Sequence, residues 1–353
     1  MDSCLEVRPT ILRMDGAQPA STHALAVLFR CVASAALLGG LGAIGACGGG
    51  APAPPPPTPS GPLAAVLAVP TPTGYDADRL AAFNRLNEIR LSAGLGMLAQ
   101  QPLMDQAAQA HADWEIANDV FGHVEQTGTT GFTGAHWYDR DEAVGYTPIA
   151  GGEVAASGAG AVDAINLLAG LAYHRSIVLA IEPVDVGVGR SAQTASNVAQ
   201  PLVVDVAIPG NDPVRGQGQL AQAAIGGVVI WPVDKAQEVQ THMGDESPNP
   251  VAGSDVLSLG MPVSITVGSS RIISVTSFSL KNMASGATVP TYLLTNANDP
   301  NGLVPTSYVV VIPLGALDSN SSFAVDFEGS VLDPSTNAST PLSRTWTFST
   351  GSG

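Results

Sequence analysis

Every cysteine of this chain lies in its first 47 residues, at positions 4, 31 and 47. The rest must fold with no disulfide and no thiolate metal centre, on packing alone. It has the means, since 45% of its 353 residues are apolar, enough for two folded domains. Charged residues are scarce at 12%, and 30 acidic against 14 basic side chains leave a formal net charge of −16. Such a surface repels phosphate backbones and anionic lipid, and the 5% aromatic content offers few stacking platforms, so nucleic acid is excluded as a partner.

The cysteine positions also point to export. Arg30 precedes an apolar, Gly-broken run that ends at Cys47 and is too short for a comfortable bilayer span. Ile44-Gly45-Ala46-Cys47 resembles a bacterial lipobox, in which the Cys is lipidated and becomes the new N-terminus. Residues 1–47 are therefore expected to be a lipoprotein signal peptide; the alternative is a plain signal cleaved after an Ala. Residues 48–74 follow as a Gly- and Pro-rich linker that favours polyproline II, a tether of about 3.1 Å per residue. Gly48 after the Cys fits sorting to an outer membrane. The expected location is the cell envelope, with the membrane as partner through the anchor at Cys47.

Helical periodicity begins at Asp76, a plausible N-cap, and runs through Leu80, Phe83, Leu86 and Ile89 to Gly94, a plausible C′ residue. A second helix opens near Pro102 with the apolar face Leu103, Ala107, Ala110, Trp114, Ala117; His111 and Glu115 flank that face, and His111 reads as a helix-surface or core-edge residue. From Gly122 to about Ala161 glycines punctuate a long loop region. A nearly all-apolar third helix, Ala161 to about Ala172, precedes strands at Val184–Arg190 and Leu202–Ile208. Val228–Pro232 reads as a last strand of this domain, over residues 75–245. Beyond it helix signals vanish. Strand-like runs at Met261–Val267, Ile272–Leu280, Tyr308–Ile312, Ser322–Phe327 and Arg344–Ser349 suit a β-sandwich over 250–353. The break between them is expected from about Gly244 to Val256, and residues 256–353 are expected to fold alone.

Three titratable residues stand out in the apolar stretch 121–189: His123, Glu153 and His174, each beside glycines or at a probable helix end. Two imidazoles and a carboxylate can make an acid–base site or a zinc-type ligand set with an open position, if they converge. The structural alternative is that each hydrogen-bonds a buried turn. Arg175, next to His174, most simply pairs with a carboxylate.

The order Phe121-Gly122-His123, Gly145-Tyr146, Gly152-Glu153-Val154-Ala155-Ala156, Ala161-Val162, His174-Arg175 and Val186-Gly187-Val188-Gly189 resembles the bacterial branch of the CAP superfamily (cysteine-rich secretory protein, antigen 5, pathogenesis-related 1; also SCP/PR-1-like) over roughly residues 75–210. Asn87 and Arg90 match its opening N-x-x-R, although both also read as polar residues of an amphipathic helix. Val154 stands where the family has Asn, and Ala172-Tyr173 where it has Pro-Gly. The resemblance implies an α+β fold, a CAP-type α/β/α sandwich, and a cleft at His123, Glu153 and His174. The 322–327 and 345–350 strands resemble bacterial Ig-like domains. Three function classes follow: an envelope binding module for a small apolar ligand or protein, a metal-dependent or acid–base hydrolase using the three cleft residues, or an architectural protein with an inert CAP domain. A weakly held divalent metal such as zinc is the one cofactor expected.

Overall fold

The computed structural model describes residues 3–7 and 61–352. Cys47 and the signal and linker segments from 8 to 60 lie outside these. In the first half the helices are α1 (Ala77–Ser92), α2 (Pro102–Asn118), α3 (Trp137–Ala143), α4 (Ala161–Gly170) and α5 (Ala172–Val178). They flank a sheet of β1 (Ser3–Val7), β2 (Ala99–Gln100), β3 (Pro148–Ala156), β4 (Asp185–Arg190) and β5 (Leu202–Pro209), in the order β1-β3-β5-β4-β2. Ser3–Val7, read from sequence as part of the export signal, pairs only with β3 at the outer edge; without it the other four strands stay paired.

Local chemistry explains the helix limits. The Asp76 side chain accepts from Arg79 N, and Gly94 follows the C-cap with φ +75°, a left-handed conformation that glycine adopts without strain. The strands sort their side chains by parity. Val154, Val186, Val188, Val204 and Val206 face α1, α4 and α5, while Ala155, Val203 and Ala207 face α2 and α3. Gly187 and Gly189 serve the second face: a Cβ there would come within 2.3 Å of the Met104 carbonyl carbon and 2.2 Å of that of Ala108. The Val-Gly-Val-Gly run thus lets the backbone of α2 lie directly on the sheet.

Three elements depart from the sequence reading. The loop region after Gly122 contains α3 and β3, because small residues that read as loop, such as Gly151, are demanded by packing: a Cβ at Gly151 would meet the Val206 carbonyl oxygen at 2.2 Å. The third helix breaks at Leu171 into α4 and α5. The tether ends earlier than residue 74, since Leu63, Val66 and Thr73 hydrogen-bond Gly218, Gln219 and Gln100 of the folded body.

The second half holds two four-stranded sheets. One is β10 (Thr291–Thr295), β11 (Tyr308–Pro313), β8 (Val263–Thr266) and β6 (Val229–Trp231) in that order. The other is β7 (Ala236–Val239), β13 (Ala338–Thr350), β12 (Ser322–Asp333) and β9 (Ile272–Asn282). Val229–Trp231, expected to close the first domain's sheet, instead pairs antiparallel with β8. The first of these sheets is covered on both faces. Val263, Ile265, Val309 and Val311 meet Phe323, Val325 and Trp346 of the other sheet. Tyr308, Val310 and Ile312 join the core of the helical half. That shared core crosses the expected break between Gly244 and Val256, so the described halves form one compact unit.

Candidate functional site

The α5 helix is where the halves meet, and every one of its seven residues is buried. Its N-terminal N–H groups have no intrahelical acceptor. They find one in Glu246, itself buried: Ala172 N donates to Oε2 at 2.8 Å, and Tyr173 N and His174 N donate to Oε1 at 2.6 and 3.2 Å. His174 Nδ1 lies 3.1 Å from the same oxygen. The Tyr173 hydroxyl donates to Asp299, and the Tyr308 hydroxyl donates to Ala172 O at 2.8 Å.

Arg175 does not take the carboxylate expected of it. Its guanidinium donates to the free carbonyls ending α4, Ala169 O at 2.7 Å and Gly170 O at 2.9 Å, and to Pro262 O at 2.7 Å in the β half. Burial lowers its pKa. A helix C-terminus presents several unpaired carbonyls to one planar fork, and that geometry suits Arg better than a single carboxylate would.

His123 and Glu153 are brought together. Following α2 on Gly122, His123 points Nδ1 at Glu153 Oε1, 2.5 Å away. Arg140, on α3, donates from Nη2 to Glu153 Oε2 at 2.6 Å and from Nη1 to His123 O at 3.0 Å. His111 is fully buried, with Nε2 2.8 Å from the Gly122 carbonyl and Nδ1 3.0 Å from Glu125 Oε1. The His174 ring centroid is 6.5 Å from that of His123, and its Nδ1 faces Glu246 Oε1. Among the described residues no group of three or more His, Cys, Asp or Glu side chains is arranged to hold a metal ion. Of the three residues expected to form a zinc-type set, His123 and Glu153 face each other, Glu153 also takes Arg140, and the Nδ1 of His174 faces Glu246. A guanidinium on Glu153 also repels any cation placed beside it.

The buried carboxyl groups titrate in opposite directions. Burial works to raise Glu153, but the charges of Arg140 and His111 and the hydrogen bond from His123 prevail, holding it well below the carboxylate range. Asp205 lies directly across the strand pair from Glu153. No donor among the described residues reaches its oxygens. Burial, then the charges of Glu153 and Asp141, push its pKa well up. Asp141 is pushed up to about 8, first by burial and then by the charge of Glu153. Glu115 is likewise raised by burial, against the hydrogen bond from Gly122 N. Asn87 and Arg90 are structural: Asn87 bonds both ways with Leu98, and Arg90 donates to Gly96, Val178 and Ala180 carbonyls.

Sequence reasoning missed Arg140, Asp141, Asp205 and Glu246. Asp205 left a trace, an acid inside the apolar run Val203 to Ala207. Glu246 left none, lying 72 residues from His174 in an irregular segment.

No family model matches the chain, and no curated protein matches it. Among solved structures it resembles an extracellular SCP-domain protein of Bacillus anthracis at 20% identity and TM-score 0.32, covering 37% of this chain and 40% of that one. It also resembles an outer surface protein of Borrelia burgdorferi at 19% identity and TM-score 0.29, covering 35% and 87% respectively. The chain thus spans well under two thirds of the Bacillus protein, and likenesses this slight carry no argument about its chemistry.

Proposed function

We propose that this protein is an exported binding module of the bacterial cell envelope, with a CAP-like half and an Ig-like half, held to the membrane by lipid on Cys47. In this reading the His/Glu cluster is a structural joint, and ligand contact occurs elsewhere on the folded unit. One observation carries it: His123, Glu153, His174 and Arg175 are all buried and engaged with other groups of the chain. A hydrolytic centre needs a substrate atom within hydrogen-bond reach of its base. The lipobox and the ordered motifs support export and the CAP-like assignment. The ligand class is a small apolar molecule, with a protein partner as the alternative.

A second reading has its own support. Asp205, its pKa pushed up, lies across the strand pair from Glu153, its pKa pushed down, and carboxyl pairs with pKa values driven apart are what acid–base catalysis uses. The test is a panel of peptidase and esterase substrates with wild type and Glu153→Gln, alongside native mass spectrometry of the purified chain for a co-purifying small molecule. The binding reading expects a bound molecule and no Glu153-dependent turnover. Turnover abolished in a folded Glu153→Gln protein would establish the hydrolase instead.

A further inference from the structure

The sheet of the helical half ends at β1, and β1 is the strand that export would remove. Ser3–Val7 pairs antiparallel with β3 at five successive positions, from Ser3 opposite Ala156 to Val7 opposite Gly152. Those residues fall within the expected signal peptide, so a chain cut at Cys47 carries β3 as its outermost strand. Natural sheet edges are blunted by lysine, proline, bulges or a covering element. Between Gly151 and Ala156 β3 has none of the first three. Its residues there are Gly, Gly, Glu, Val, Ala and Ala, its register shift lies between Pro148 and Ala150, and Glu153 is turned inward to His123 and Arg140. The covering element is β1. The tether cannot replace it: Pro52, Pro54 to Pro57 and Pro59 leave no five residues in succession with an N–H to give. Beyond the tether, Val66 and Thr73 are already bonded to Met97 and Gln100, beside β2 at the opposite edge of the sheet.

We propose that the mature protein takes an extended strand of a partner protein on the open edge of β3, antiparallel and in the register that β1 occupies. The inference deepens the binding-module reading, on its protein-partner side, and rests on it. Main-chain hydrogen bonds supply the affinity, as in other strand additions to an open edge, and alternate side chains supply the selectivity. Val154 and Ala156 belong to the core against α1, α4 and α5, so partner residues opposite them and opposite Gly152 are best apolar. β1 has Leu5 and Val7 at two of these three positions. The position opposite Glu153 lies on the other face. In β1 it holds Glu6, and like charges directly opposite one another are unfavourable, so a neutral residue there makes a better partner. The contact is with the backbone of β3 and leaves the Glu153 carboxylate bonded to Arg140.

The test uses the chain as the cell processes it, extracted from membranes, with intact mass giving its first residue and amide hydrogen exchange following residues 152–156. The probe is the peptide of residues 1–10 carrying Cys4→Ser. The chain is expected to begin at Cys47, to exchange the outward amides of β3 quickly, and to have them slowed saturably by the peptide. Methylating the peptide on both the Leu5 and Glu6 nitrogens should abolish this, because one of any two neighbouring N–H groups in a strand faces its partner. Glu6→Thr in the peptide should tighten binding about 2- to 5-fold, the contribution of one cross-strand pair. Edge amides that are slow without peptide, or equal binding of the methylated peptide, would overturn the proposal. Protection that appears together with a dimer in sedimentation would assign the edge to a second copy and overturn it too. None of these readings needs a substituted protein to fold. A chain that begins at Cys47 and fails here removes the edge site alone; one still carrying Ser3–Val7 removes the lipid anchor and the edge site together.

Discussion

Replacing Glu246 by Ala tests whether the two halves fold as one. The carboxylate accepts three backbone N–H groups of α5 and faces His174 Nδ1, all in a buried setting. A buried donor left without an acceptor costs about 1–3 kcal/mol. Four such groups would give about 4–12 kcal/mol, but the truncated side chain leaves room for water to restore part of the bonding. The net loss expected for Glu246→Ala is about 3–6 kcal/mol, a large share of the roughly 5–15 kcal/mol by which domains are stable. Glu246→Gln keeps one carbonyl acceptor but turns an amide toward the remaining N–H, so about 1–3 kcal/mol is expected for it. Urea unfolding followed by far-ultraviolet circular dichroism and by tryptophan fluorescence measures both. Because Tyr308, Val310 and Ile312 belong to the core of the helical half, the two probes should shift together. A loss under about 1 kcal/mol for Glu246→Ala, or transitions that separate, would refute the reasoning.

Asp141 supplies a pH test. Its folded pKa, about 8, is above the unfolded value near 3.9, so the folded state binds more protons between them. Its contribution is fully present below about pH 4 and is lost as pH rises toward 8. Asp141→Asn should therefore gain on wild type by about 1–3 kcal/mol between pH 5 and 8, read from urea midpoints; a constant difference across that range would show that Asp141 does not hold its proton. A fragment of residues 256–353 lacks β6 and β7 and bares the face of Tyr308, Val310 and Ile312, so it should show no cooperative unfolding; a sharp β-type transition would restore the separate domain expected from sequence. Cys47→Ala should move the protein from the membrane fraction to the soluble one, and a variant that stays membrane-bound would remove the lipid anchor.

Local grammar was readable because its causes lie within a few positions of each other. Asp76 and Gly94 bounded the first helix, Pro102 opened the second, and the apolar run from Tyr308 to Ile312 announced a buried strand. His123 and Glu153 were singled out for their setting, and they do meet, 30 residues apart in sequence. The region of Gly151 and Gly152 misled, since small residues that free a loop are the same ones that let a backbone approach Val206 closely.

What the chain's sequence determines by itself is therefore the limits of its first two helices, several of its buried strands and the residues available for a polar cluster. Only the tertiary structure decides what those residues do. His174 could face an open cleft or a carboxylate, and nothing within a helical turn of it distinguishes the two. The choice was made by Glu246, carried on an irregular segment with no period to read. It was made again by the sheet that Val229–Trp231 joins, which needs a second face covered and finds that cover on the helical half. Hydrogen-bond partners and buried faces across such separations are set by which surfaces exclude water together, a property of the assembled fold and of no local stretch.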